Sequence, residues 1–137
     1  MDIRWLAGFV DGDGSIGIFK TVTPTSFGFT AILAVYNTNL RVLHAIKRTY
    51  GGHINESSYN PKRQKVCYQL KWTGSSARNL ISRLLPHLQL KQQVARVVLK
   101  LKARRRGDSP NALKRQLSLL SQVKKLNNRG TLYASRG

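Results

Sequence analysis

From residue 29 to residue 36 the side chains alternate. Phe29, Ala31, Leu33 and Val35 take one side, and Thr30, Ile32, Ala34 and Tyr36 the other. A period of two is that of a β-strand, whose successive side chains leave on opposite faces. The period recurs at residues 15–19, where Ile16 and Ile18 share a face. It recurs again at 65–72, where Val66, Tyr68, Leu70 and Trp72 oppose Lys65, Cys67, Gln69 and Lys71. A further strand is expected over about 53–58. The connections are a turn at Thr23-Pro24-Thr25-Ser26 and a polar loop, Tyr59-Asn60-Pro61-Lys62-Arg63.

Around these strands the spacing is helical. Asp2 is an N-cap for a helix over about 3–11, which Gly12 and Gly14 are expected to stop. Asn39 caps a second helix carrying Leu40, Leu43 and Ile46 up to Gly51-Gly52. A third, from Gly74-Ser75-Ser76, carries Leu80, Ile81, Leu84 and Leu85 as far as Pro86. Val94, Val97, Val98 and Leu101 mark a fourth, with Arg96, Lys100 and Arg104 on another face. Ser109-Pro110 opens the last, with Leu113, Leu117, Leu120 and Leu126 as its apolar side and Gly130 beyond its end. Each strand pair has a single apolar face. The expected fold is therefore α+β: a four-stranded antiparallel sheet with helices on one face, in the order α-β-β-α-β-β-α plus C-terminal helices. That leaves a polar, cation-rich sheet face uncovered. At about 100–200 residues per domain, 1–137 is expected to be one domain, with a basic helical C-terminal part over 88–130.

Charge narrows the function. Lys and Arg total 24 against five acids, a formal net charge of +19. Such a surface collects polyanions, nucleic acid above all. One cysteine, Cys67, excludes an internal disulfide framework and a cysteine-based zinc cluster. No apolar run approaches the roughly 20 residues of a membrane span, and the first residues do not read as a secretory signal. The expected setting is intracellular. The acids are unevenly placed: Asp2, Asp11 and Asp13 stand in the first 14 residues, and only Glu56 and Asp108 in the other 123. A phosphate binder should keep carboxylates from its contact face, so Asp11-Gly12-Asp13-Gly14 calls for a reason. One reading is a helix end with turn residues. The other is a metal site, because a hard divalent cation takes oxygen ligands and lets a carboxylate face a phosphate.

Leu6-Ala7-Gly8-Phe9-Val10-Asp11-Gly12-Asp13-Gly14 resembles the nine-residue signature of the LAGLIDADG homing endonucleases, matching it at Leu6, Ala7, Gly8, Asp11, Asp13 and Gly14. The likeness continues through Asn37-Thr38-Asn39-Leu40, Gly51-Gly52, Leu85-Pro86 and Leu90-Lys91-Gln92-Gln93-Val94-Ala95, from residue 3 to about 129. It implies a saddle-like sheet and a homodimer of the single-motif type, paired through the motif helices. The expected interface is Leu6, Ala7, Gly8, Val10 and Asp11, with Asp11 also in a structural role. It implies metal-dependent hydrolysis of double-stranded DNA at a pseudo-palindromic site. Asp13 then holds Mg²⁺ or another divalent cation, with the Gly12 carbonyl as second ligand. Lys91 aligns with the family's basic residue near the reacting phosphate, against the plain reading of one more solvated lysine. Asn37 stands where many members carry a water-holding amide, and equally suits a helix start beside Asn39.

The polar strand positions Thr21, Thr30, Asn55, Ser57, Lys65, Gln69 and Lys71 are candidates to read base edges in a major groove, with Lys62 and Arg63 clamping the backbone. Phe19, Ile32 and Cys67 interrupt that face. The 13 bases of residues 91–137 should grip phosphates in a salt-dependent way. The rival readings are a non-cleaving binder, such as a maturase of intron RNA, and a basic structural protein. His44, His53 and His87 are scattered over unlike elements and read as structural.

Overall fold

The computed structural model describes residues 1–22, 24, 27–57, 65–101 and 110–136; for residues 27, 110–112 and 128–136 it describes the backbone. Lys62, Arg63 and residues 104–107 lie outside the described residues. The element order is α1 (Ile3–Asp13), β1 (Gly14–Val22), β2 (Phe27–Asn37), α2 (Leu40–Tyr50), β3 (His53–Glu56), β4 (Tyr68–Thr73), α3 (Gly74–Leu84), a short 3₁₀ turn (Leu85–His87), α4 (Gln92–Leu99) and α5 (Pro110–Arg136). The four strands form one antiparallel sheet in the order β1-β2-β4-β3. The fold is the α+β arrangement that the alternation implies.

Helix caps act where the sequence puts them. The Asp2 carboxylate accepts from Trp5 N at 2.9 Å, which holds its pKa below the ordinary carboxylate value. The Asn39 Oδ1 accepts from Arg41 N at 3.1 Å and Val42 N at 3.4 Å. Gly51 and Gly52 end α2 at φ 78° and 101°, left-handed conformations that favour glycine. One stop differs. Gly12 lies inside α1, and Gly14 is its C-cap. A Cβ on Gly14 would stand 2.8 Å from the Cα and carbonyl oxygen of Val10 and 3.1 Å from the carbonyl of Ala34. Only glycine lets the helix turn so tightly into β1.

The core lies between the sheet and the helices on one side. Ile16 and Ile18 from β1, Phe29, Ala31, Leu33 and Val35 from β2, and Leu70 and Trp72 from β4 meet Leu6, Val10, Leu43, Ile46, Ile81, Leu84, Val94 and Val98. Trp72 Nε1 donates to the carbonyl of Tyr50 at 3.0 Å, tying β4 to the end of α2.

Other boundaries move. β4 begins at Tyr68 rather than 65, leaving Lys65 and Val66 exposed ahead of it. β3 ends at Glu56, although Ser57 N still donates to the Cys67 carbonyl at 2.9 Å. On α5, Leu113, Leu120 and Leu126 pack against the core as expected, while Leu117 is 48% exposed and Gln116 and Val123 complete the inward line. Helices do not keep wholly to one face. Asn127 Nδ2 donates to the carbonyl of Ile16, on the free edge of β1, at 3.1 Å. Val123 and Asn127 also lie within 4 Å of the point where a Gly17 Cβ would stand. Gly17 pairs with Ile32 and belongs to the face opposite Ile16, so α5 wraps the sheet edge that would otherwise invite another strand.

Candidate nucleic-acid interface and metal centre

The uncovered sheet face is built by strand parity. Its rows, read from the pairings, are Tyr36–Gln69–Asn55, then Ser15–Ala34–Lys71–His53, then Gly17–Ile32–Thr73, then Phe19–Thr30 and Thr21–Gly28. Thr21, Thr30, Asn55, Gln69 and Lys71 therefore share one face, with Phe19 and Ile32 among them. Thr21 Oγ1 donates to the carbonyl of Gly28 at 3.3 Å. Gln69 Nε2 donates to the hydroxyl of Tyr36 at 3.0 Å. Tyr36 falls on this row by the alternation of β2 but was not among the candidate base-reading residues, and its hydroxyl makes it a polar member of the row. Lys65 and Ser57 lie just beyond the strand ends, with Ser57 still joined to Cys67 through its amide.

At the end of α1 the acids separate into two roles. Asp11 turns to the chain: Oδ2 accepts from Gln89 N at 2.7 Å, and Oδ1 accepts from Leu90 N and Lys91 N, both at 3.1 Å. Lys91 Nζ in turn donates to the Asp11 carbonyl at 3.0 Å. Asp13 is exposed at the last position of α1, immediately before β1. Gly12 is exposed in the same final turn, where helix carbonyls have no donor from within the helix and the dipole is negative. Asp13, the Gly12 carbonyl and Lys91 thus gather at one helix end, beside the Tyr36 row of the sheet.

Asn37 is elsewhere in kind. It falls on the β2 parity that faces the helices, and its Oδ1 accepts from Asn39 N at 2.8 Å, shaping the turn into α2. Its amide oxygen accepts from a backbone donor, which is the helix-start role that its sequence position also suits.

The interface assignment changes. Leu6, Ala7 and Val10 have no exposed surface and pack into this chain's own core, so they cannot meet a partner. The exposed strip of α1 carries Trp5, Gly8 and Gly12, with Asp11 at its margin. Trp5 is 44% exposed and stacks on Phe9 with ring centroids 5.3 Å apart. A Cβ on Gly8 or Gly12 would meet nothing within 4 Å. Glycine inside a helix costs about 1 kcal/mol against alanine, and no contact among the described residues needs these two.

Among the described residues no group of three or more His, Cys, Asp or Glu side chains comes together to hold a metal. The donors at the α1 end are one carboxylate and helix carbonyls, all hard oxygens. They suit Mg²⁺ or Ca²⁺, and Mg²⁺ characteristically takes one or two carboxylates and completes its shell with waters and substrate phosphates.

A basic α+β domain with an open polar sheet face and an exposed carboxylate at its end has the features of a nucleic-acid-binding protein. The LAGLIDADG endonuclease family model matches residues 6–96, and the chain belongs to that family. Among solved structures it is similar to the homing endonuclease I-CvuI in complex with its target in the presence of calcium, with 27% identity and a TM-score of 0.75 over 90% of this chain and 80% of that one. The same enzyme was also solved with the I-CreI target in magnesium, with the DNA not cleaved. The archaeal intron-encoded homing endonuclease I-Vdi141I, complexed with DNA, shares the fold at 18% identity and a TM-score of 0.67, over 90% and 82% of the two chains. I-TnaI does so at 16% and 0.65, over 93% and 95%. No curated protein matched. Among the described residues no helix is long and apolar enough to cross a membrane.

Proposed function

We propose that the chain is a site-specific DNA endonuclease that acts as a homodimer, hydrolysing phosphodiesters of a pseudo-palindromic duplex with divalent metal. The observation that carries this reading is the placement of Asp13. It closes α1 beside Lys91 and at the head of the polar sheet face, so a duplex lying on the sheet brings a phosphate to the carboxylate. Pairing two α1 helices along Gly8 and Gly12 lets their backbones approach closely and brings two Asp13 carboxylates together. Each chain then supplies half of a centre.

Asp13 and the Gly12 carbonyl would hold Mg²⁺, which would supply charge neutralisation for the paired carboxylates and Lewis-acid activation of the phosphate and of a water. Lys91, kept at the helix end by the Asp11 carbonyl, places a positive charge where the phosphate becomes more negative. Thr21, Thr30, Asn55, Gln69 and Lys71 face the bases, while Ser57, Lys65, Lys62 and Arg63 serve the flanks of the site. The exposed bases of α5, Lys114, Arg115, Lys124 and Lys125, add phosphate contacts.

The test is cleavage of a randomised duplex library in Mg²⁺ and in a chelator, with sequencing of the new ends. Recurrent two-fold-symmetric ends that need the metal support the reading. Retained duplex without new ends contradicts it. A second reading, binding of intron RNA, has one observation in its favour. Arg41, His44 and Arg48 are exposed at i, i+3 and i+7 on α2, in the helix layer away from the open sheet face. RNA that binds without displacing duplex would support it.

A further inference from the structure

We propose that Tyr36 and Gln69 form one base-reading pair that selects adenine over guanine at the innermost sheet-read position of each half-site. The proposal rests on the DNA-cleavage reading above and deepens it.

The two residues are cross-strand neighbours on the open face, and Gln69 Nε2 donates to the Tyr36 hydroxyl at 3.0 Å. That bond uses the hydroxyl as acceptor. The Tyr36 O–H proton is left to donate outward, and Gln69 Oε1 is left to accept. The pair thus shows one donor beside one acceptor, held in place by each other and by the ladder beneath. Asn55 follows in the same row, opposite Gln69; its Oδ1 is shielded and has no donor among the described residues. The row has more acceptor capacity than the chain satisfies.

In the major groove adenine offers N7 as acceptor and the 6-amino group as donor, the complement of Tyr36 O–H and Gln69 Oε1. Guanine offers N7 and O6, both acceptors, so O6 would face the Gln69 oxygen. Cytosine has only a donor, and thymine has an acceptor and a methyl group. Position follows from register. β1 starts at Gly14 opposite Val35, so Tyr36 is the open-face residue of β2 level with the Asp13 end of the strand. No other row lies nearer the carboxylate, and in a symmetric dimer it meets one base on each strand next to the centre.

The experiment compares sites selected by the whole protein and by Tyr36→Phe from a randomised duplex library. It then measures binding to a selected site carrying 7-deazaadenine at the assigned position. The wild type is expected to require adenine at one symmetric pair of inner positions. Tyr36→Phe should lose that preference alone and keep those read by the outer rows. The deaza base should weaken wild-type binding by about tenfold and leave Tyr36→Phe binding unchanged. The variant keeps the ring, and its thermal melt shows whether the fold is intact. An unchanged Tyr36→Phe site, or equal sensitivity of both proteins to the deaza base, overturns the proposal while leaving the endonuclease reading standing. A wild type that cuts and selects nothing overturns both.

Discussion

The carboxylate of Asp11 holds the segment that carries Lys91. Three consecutive backbone amides, Gln89, Leu90 and Lys91, donate to its two oxygens, and the Lys91 ammonium returns to the Asp11 carbonyl. A contact 78–80 residues apart in sequence thus fixes the distance between the α1 end and the α4 start. Of two acids separated by one glycine, one is spent on positioning and the other is left exposed at the helix end.

Asp11→Ala therefore strands three amides and unfastens the segment that carries Lys91, while the backbone carbonyl that accepts from Lys91 Nζ remains. We expect a loss of about 2 kcal/mol in stability, because hydrogen bonds to a charged acceptor contribute more than neutral ones. Cleavage should fall more than binding. Urea unfolding and single-turnover cleavage measure the two effects, with Asp11→Asn intermediate in both.

Gly14→Ala has no room to relax, since the obstacles are the backbone of Val10 and the carbonyl of Ala34. The expected outcome is a loss of about 1–3 kcal/mol, the range for overpacking a close contact, and a displaced Asp13. A thermal melt, read beside a cleavage assay, checks it.

Gly8→Leu separates fold from assembly. The site is open in the single chain and leucine is the better helix former, so monomer stability should hold or rise by about 1 kcal/mol. The bulk blocks helix-to-helix approach. Sedimentation should show a shift from dimer to monomer, together with loss of cleavage.

Removing Lys124 and Lys125 together should weaken binding almost equally for specific and random duplex. The slope of log affinity against log salt should become shallower by about two, one for each phosphate contact. Titrations at several salt concentrations measure it.

Much of the fold was legible because its signals are local. Asp2 and Asn39 cap by side-chain bonds within three residues, and strand parity at 29–36 assigns every side chain of β2 to a face. Asp13, Gly12 and Lys91, named from the signature and the segment around residue 91, sit together at one helix end. What was lost is tertiary. The apolar residues of α1 face its own core, and spacing alone does not say whether an apolar stripe meets its own sheet or a second copy. Asn37 suits both a reacting amide and a helix start in sequence, and its oxygen accepts from Asn39 two residues on. Tyr36 declares its polarity only through Gln69, 33 residues away. Leucines stand on more than one side of α5, so its buried line could not be chosen without Ile16 and Gly17 beside it.

The most direct measurement is the behaviour of Asp13→Asn on a duplex site that the wild type cuts. The change removes one negative charge and keeps the shape of an exposed side chain. Binding and melting temperature should stay near wild type, while metal-dependent cleavage falls by about a thousandfold or more, as expected when several kcal/mol of transition-state stabilisation are lost. Cleavage by Asp13→Asn at the wild-type rate, in the same metal, would contradict the account.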